Sequence, residues 1–155
     1  MNFSEYVNEK TIYLGLDVAN VQELFQFVAN DLEKHNFVLP GFFDYLVSRE
    51  NNYPTGLKLD NYAVAIPHGD PKYIQKPFVA VITLNHSIKV RQMDDANTEL
   101  DVKLLFLLGM NANSTHLDLL KEIISLIQQE SFVKKIGAAK TKSEVIKVIR
   151  QEEKK

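Results

Sequence analysis

The chain of 155 residues contains no cysteine. That excludes a disulfide framework, a thiol nucleophile and a thiolate-ligated metal. No apolar run approaches the roughly 20 residues that a membrane-spanning helix needs. The most apolar stretch, residues 104–110, is far too short. The first ten residues, MNFSEYVNEK, are polar and lack a signal-peptide pattern. Charge of neither sign dominates, because 18 Lys and Arg oppose 20 Asp and Glu for a net −2. A nucleic-acid or membrane surface built on bulk charge is therefore not expected. Internal repeats and low-complexity linkers are also missing. These absences leave one cytoplasmic domain over residues 1–150, with no membrane insertion and no nucleic-acid partner. The all-polar segment 151–155 is expected to fray.

What is present alternates between helical and strand periodicity. Residues 12–16 read as a first strand. Asn20 offers a helix N-cap with Glu23 three residues on, and Val21, Leu24, Phe25, Val28 and Leu32 follow at helical spacing over 21–35. A second helix is expected to start near Pro40, to bury Phe43, Leu46 and Val47, and to end near Arg49. Phe42 and Phe43 read as core residues. The stretch from Asn51, NNYPTGL, is turn chemistry. Strands are expected at 62–66, 77–84 and 102–108, with a turn and return strand at 85–90 and an acidic loop at 94–99. Both faces of the apolar strands read as buried. Thr115 with Asp118 predicts another helix start, with a stripe of Leu117, Leu120, Ile124 and Ile127. A short helix over 130–136 should end at Gly137. Thr141 with Glu144 opens a final helix burying Val145, Val148 and Ile149. The order implies an α/β sandwich around a mixed sheet.

Four histidines carry the candidate chemistry. His35 falls at a helix C-terminus, where a capping role suits it, and His86 falls in an expected turn. His68 differs, because YAVAIPHGD places it just past a buried strand. That edge is where α/β sheets form ligand crevices. Pro67 fixes φ, and Gly69 lets the chain turn away and lets a ligand approach. By spacing alone, P-H-G also fits an edge histidine in a tight turn. His116 falls in the first turn of an expected helix, where free N–H groups favour anions and keep an imidazole neutral. It also fits a surface residue at a helix start. Arg49 can hold a phosphate with its planar fork of donors, or simply end a helix. Together, a neutral His68, His116 and Arg49 suit phosphoryl transfer through a phosphohistidine: the ring nitrogen attacks phosphorus, Arg49 and backbone donors balance the charge on the oxygens, and His116 donates a hydrogen bond to the phosphoryl group. No P-loop or kinase signature is present, so the donor is expected to be another phosphorylated protein, with no metal and no cofactor.

The segment from Arg49 to Asp70, RENNYPTGLKLDNYAVAIPHGD, resembles the enzyme IIA component of the phosphoenolpyruvate-dependent sugar phosphotransferase system, fructose–mannitol type. FVAVITL, VKLLFLL and STHLDLLKEI continue the resemblance in the family's order over nearly the whole chain. YPTGL and the acidic residue two after the histidine look most like the galactitol-specific branch. The resemblance implies a three-layer α/β/α sandwich with a central mixed sheet. It implies that His68 is phosphorylated on its ε2 nitrogen by the phosphocarrier HPr. The group then passes to a cysteine of a separate EIIB, which serves the membrane component EIIC. It implies His116 as the second active-site histidine, Arg49 as the active-site arginine and Thr55 as a possible phosphate-binding residue. Many relatives carry a basic residue where this chain has Asp70, and a carboxylate there opposes a dianionic phosphoryl group unless it points away.

Two other classes stay open at this point. A stand-alone chain of this type can serve a regulatory phosphorelay. His68, Asp70 and His116 can in principle ligate zinc, which would make a metalloenzyme. The acidic stretch 94–99 reads as a solvated turn, with the orienting of a basic partner as its functional alternative.

Overall fold

The computed structural model describes residues 3–68, 70–111 and 113–154, with the backbone alone at 113–116. In chain order the elements are β1 (Ile12–Leu16), α1 (Val21–Lys34), α2 (Phe42–Asn52), β2 (Gly56–Lys58), β3 (Ala63–Ala65), β4 (Phe78–Gln92), β5 (Asp95–Gly109), α3 (Asn113–Ile127), α4 (Glu130–Ala138) and α5 (Lys142–Glu153). A long antiparallel hairpin of β4 and β5 forms the spine, from Phe78 opposite Gly109 to Gln92 opposite Asp95. β1 runs parallel to β4, β3 runs parallel to β5, and β2 pairs antiparallel with β3. Gly56 of β2 also meets Gln92 of β4. A Cβ at Gly56 would lie 2.7 Å from the Arg91 carbonyl oxygen, so glycine lets β2 close on the end of the hairpin.

Alternation along the strands builds two cores. Ala80, Ile82, Leu105 and Leu107 pack with Leu24, Phe25, Leu32, Phe42 and Leu46 of α1 and α2. Val79, Val81, Phe106 and Leu108 point the other way, towards Leu119, Ile123, Phe132, Ile136, Val145 and Ile149 of α3, α4 and α5. The result is the expected three-layer sandwich around a mixed sheet. Burying one such aromatic side chain is worth roughly 1.5–3 kcal/mol. A helix cap contributes about 1 kcal/mol, so contact with the sheet, more than capping, holds the helices. The caps at Asn20 and Thr141 form as expected, each oxygen accepting the backbone N–H three residues on, at 2.9 and 3.1 Å.

Several boundaries differ from the expectations. α2 starts at Phe42, because Gly41 in the left-handed region (φ 98) turns the chain after Pro40. It continues to Asn52, which places Arg49 inside its last turn. Phe42 is fully buried, whereas Phe43 and Val47 are half-buried against the core. The expected turn at 85–90 is instead a continuation of β4, with a register shift between Thr83 and Ile88 where Asn85, His86 and Ser87 are exposed. Most of the expected acidic loop belongs to β5, whose residues 95–99 pair back onto β4. α4 runs through Gly137 to Ala138, and nothing lies within 4 Å of a Cβ built at that glycine. α3 starts two residues before Thr115, whose side chain lies outside the described residues. The tail is helical to Glu153: Glu152 is buried, and Glu153 accepts hydrogen bonds from the N–H and hydroxyl of Ser4 at 2.6 and 2.9 Å. Among the described residues no helix is long and apolar enough to cross a membrane.

Candidate functional site

The backbone mounts His68 between two neighbours. Ile66 donates its N–H to the Thr55 carbonyl at 3.1 Å, and Leu108 donates its N–H to the Pro67 carbonyl at 2.9 Å. His68 then bridges to Leu108 in parallel register. The half-buried residue therefore stands at the C-terminal end shared by β3 and β5. Such an end of parallel strands is where α/β sheets hold ligands. Gly69 lies outside the described residues.

The same end of the sheet receives the start of α3 just after β5 finishes at Gly109. His116 falls in that first turn, as expected, and its side chain lies outside the described residues. A helix start of this kind carries N–H groups without intrahelical partners and the positive end of the dipole.

Arg49 lies in the last turn of α2. It is half-buried, and its guanidinium carbon lies 4.6 Å from the centroid of the exposed Tyr53 ring. One turn earlier, Tyr45 stacks at a tilt on Tyr73, with centroids 5.3 Å apart. Burial pushes the Tyr45 hydroxyl above its ordinary pKa; Arg49 opposes that rise and Asp70 adds to it. The Tyr45 hydroxyl thus lies within electrostatic reach of both Arg49 and Asp70.

Asp70 does not stand as an unattached carboxylate. Its Oδ1 accepts the Lys72 N–H at 2.9 Å and caps the short 3-10 turn Pro71–Tyr73. That capping directs one carboxylate oxygen at its own backbone. Among the described residues, no group of three or more His, Asp or Glu is arranged to hold a metal ion.

Thr55, expected as a possible phosphate-binding residue, is engaged elsewhere among the described residues. It is 2% exposed, and its hydroxyl donates to Glu50 Oε1 at 2.8 Å while its N–H donates to Glu50 Oε2 at 3.0 Å. A hydroxyl has one proton to give, and here it goes to Glu50. Burial pushes the Glu50 carboxyl up, although both Thr55 bonds and the cations Arg91 and Arg49 pull it down. Sequence reasoning gave Glu50 no role. The signal was available: Phe42, Leu46 and Glu50 repeat at four-residue spacing, which puts a carboxylate on the buried stripe of α2.

His35 and His86 stay apart from this site. His35 is the C-cap residue of α1, with Nδ1 2.9 Å from the Asp31 carbonyl oxygen. His86 lies exposed on β4, 4.0 Å from Asp17. Two concavities are lined by residues other than these candidates. One of about 530 Å³ is lined by Lys58, Tyr62 and Gln128, and one of about 470 Å³ by Phe43, Val47 and Asn51.

Known proteins share this architecture. The family model described as "Phosphoenolpyruvate-dependent sugar phosphotransferase system, EIIA 2" matches residues 5–152. The chain is 24% identical over 119 residues to the PTS system galactitol-specific EIIA component of Escherichia coli K12, covering 77% of this chain and 79% of that one. It is 29% identical over 107 residues to a nitrogen regulatory protein of Bradyrhizobium diazoefficiens, covering 69% and 67%. The solved complex of enzyme IIAMTL and phosphorylated enzyme IIBMTL from Escherichia coli superposes with a TM-score of 0.75 at 19% identity, over 94% of this chain and 97% of that one, which shows a common fold. The match over nearly all of the chain decides the matter: it belongs to the EIIA 2 family of the phosphoenolpyruvate-dependent sugar phosphotransferase system, mannitol–fructose type, whose role is phosphoryl carriage.

Proposed function

We propose that His68 is the phosphoryl-carrying residue, loaded by phosphorylated HPr and discharged to a cysteine of a cognate EIIB in the cytoplasm. The observation that carries this reading is the mounting of His68 at the joint end of β3 and β5, shortly before α3 begins. A neutral ring nitrogen, Nε2 by family resemblance, attacks phosphorus. A P–N bond forms as the P–N bond of the donor histidine breaks, and the donor ring leaves. In the second transfer a thiolate sulfur attacks, a P–S bond forms and the His68 P–N bond breaks. Arg49 and the N–H groups at the start of α3 balance charge on the phosphoryl oxygens, and His116 donates a hydrogen bond to them. A neighbour solved with phosphorylated enzyme IIBMTL supports a IIB protein as acceptor. The galactitol-specific relative supports a sugar alcohol as the transported substrate, with selection made by the membrane component.

A regulatory carrier is the second reading, favoured by the likeness to a nitrogen regulatory protein. The two readings part after loading: a transport carrier hands its phosphate to a IIB cysteine, and a regulatory one does not. The test is incubation with phosphoenolpyruvate, enzyme I and HPr, followed by mapping of acid-labile phosphate. Label on His68, lost in His68→Ala, is the expected result. Label on another residue, or undiminished label in the variant, overturns the assignment.

A further inference from the structure

We infer that Glu50 is a positioning residue of the phosphoryl site, clamping the strand that carries His68 to the helix that carries Arg49. This inference rests on the reading of His68 as the carrier residue. Glu50 is 7% exposed, next in sequence to Arg49, in the last turn of α2. Its two carboxylate oxygens each take one donor from Thr55, the backbone N–H and the hydroxyl. Thr55 in turn accepts the Ile66 N–H, two residues before His68. The path from Arg49 to His68 thus runs through one carboxylate and three hydrogen bonds, each of 2.8–3.1 Å.

The main chain of Glu50 is held as well. Arg91 Nη2 of β4 donates to the Glu50 carbonyl at 3.2 Å and also to the Asn51 carbonyl. These bonds cap the C-terminal carbonyls of α2, which have no partner within the helix. The last turn of α2 is therefore fixed to β4 by its backbone and to the β2–β3 pair by one side chain. Removing that side chain leaves the Thr55 N–H buried without an acceptor and frees the β2–β3 pair from α2. A buried carboxylate is costly unless both oxygens are satisfied. Here both are, by a residue that leads directly to the phosphoryl-accepting segment.

The glutamine variant separates geometry from charge. In Glu50→Gln the amide oxygen still accepts the Thr55 N–H, and the amide nitrogen donates to the Thr55 hydroxyl oxygen, so the clamp persists with one bond reversed. Glu50→Ala removes it. Thr55→Val removes the hydroxyl bond alone and serves as a second probe should Glu50→Ala fail to fold. Two readouts decide. Phosphate acceptance from phosphorylated HPr is expected to fall on the order of 10²-fold in Glu50→Ala, since misplacement by about 1 Å carries that cost. It should fall by an intermediate amount in Thr55→Val and stay within about threefold of the parent in Glu50→Gln. The kcat term should drop while the KM for HPr holds, because the docking surface is unchanged.

The second readout needs no phosphate. In Glu50→Ala and Thr55→Val, the Ile66 amide should exchange about tenfold faster or more. The His68 ring nitrogen resonances should shift, while amides of β4 and β5 keep their protection. Equal acceptance rates in the parent and Glu50→Ala, or an unaltered Ile66 amide and His68 ring, overturn the clamp. So does Glu50→Gln behaving like Glu50→Ala. A parent chain that takes no label on His68 overturns the carrier reading instead, and the exchange and resonance measurements still decide whether Glu50 positions that segment.

Discussion

At the scale of single residues, charge placement governs the site. Arg49 offers a planar cation whose present contact is the Tyr53 face. Arg49→Ala is expected to slow loading from phosphorylated HPr by about 10²-fold, the usual cost of losing one electrostatic stabiliser. Quench-flow labelling checks this, and an unchanged rate would leave Arg49 as a stacking partner of Tyr53 only. His116→Ala should still accept phosphate and should transfer it poorly to the cognate IIB; unimpaired transfer would remove His116 from the mechanism. Glu50 gives a pH signature. Burial raises its carboxyl pKa above the ordinary 4.5. A carboxyl with a higher pKa in the folded state stabilises the fold most when protonated, below its unfolded value, and loses that contribution as pH rises through the folded value. Glu50→Gln carries no charge to desolvate, so it should melt above the parent at about pH 8 and converge with it near about pH 4. Thermal melts followed by circular dichroism test the sign: a parent that stays the more stable at the higher pH would mean that the Thr55 bonds and nearby cations outweigh burial.

At the scale of elements, the close approach of β2 to the hairpin end is the most sensitive joint. Gly56→Ala would force a Cβ against the Arg91 carbonyl. It should destabilise the fold by about 1–3 kcal/mol, measured by urea unfolding, and should loosen Thr55 along with β2. The helices were legible because their apolar spacing and caps agree, as at Asn20 and Thr141. The strands were legible only where the sheet is covered on both sides. Beyond Thr83 the helices α3, α4 and α5 no longer cover the hairpin, and Ile88, Val90, Leu100 and Val102 all pack on the α1–α2 side. The other face turns polar there, so Asn85, His86 and Ser87 read as a turn although the strand continues. β2 escaped notice because three residues amid turn chemistry are too few to display alternation. The segment around His68 was legible from P-H-G after a buried strand. The Glu50–Thr55 pairing was not, because a lone glutamate on a helix usually faces water and nothing in the turn around Thr55 signals a bond back to α2.

At the scale of the whole molecule, the β4–β5 spine joins both cores, so it should be the last part to open. Amides of Val79 to Ile82 and Leu104 to Leu108 are expected to exchange only with global unfolding, at rates that follow the overall stability measured by denaturant. Faster exchange there than at the edge strand β1 would contradict a hairpin-centred fold. The spine also bears on how a carrier of this kind is recognised. The main chain just before His68 is tied to β2 on one side and β5 on the other. On the proposed reading, a segment so braced would keep nearly the same contour laden or empty, and proteins that meet it would tell the two apart by the ionic signature of its cargo.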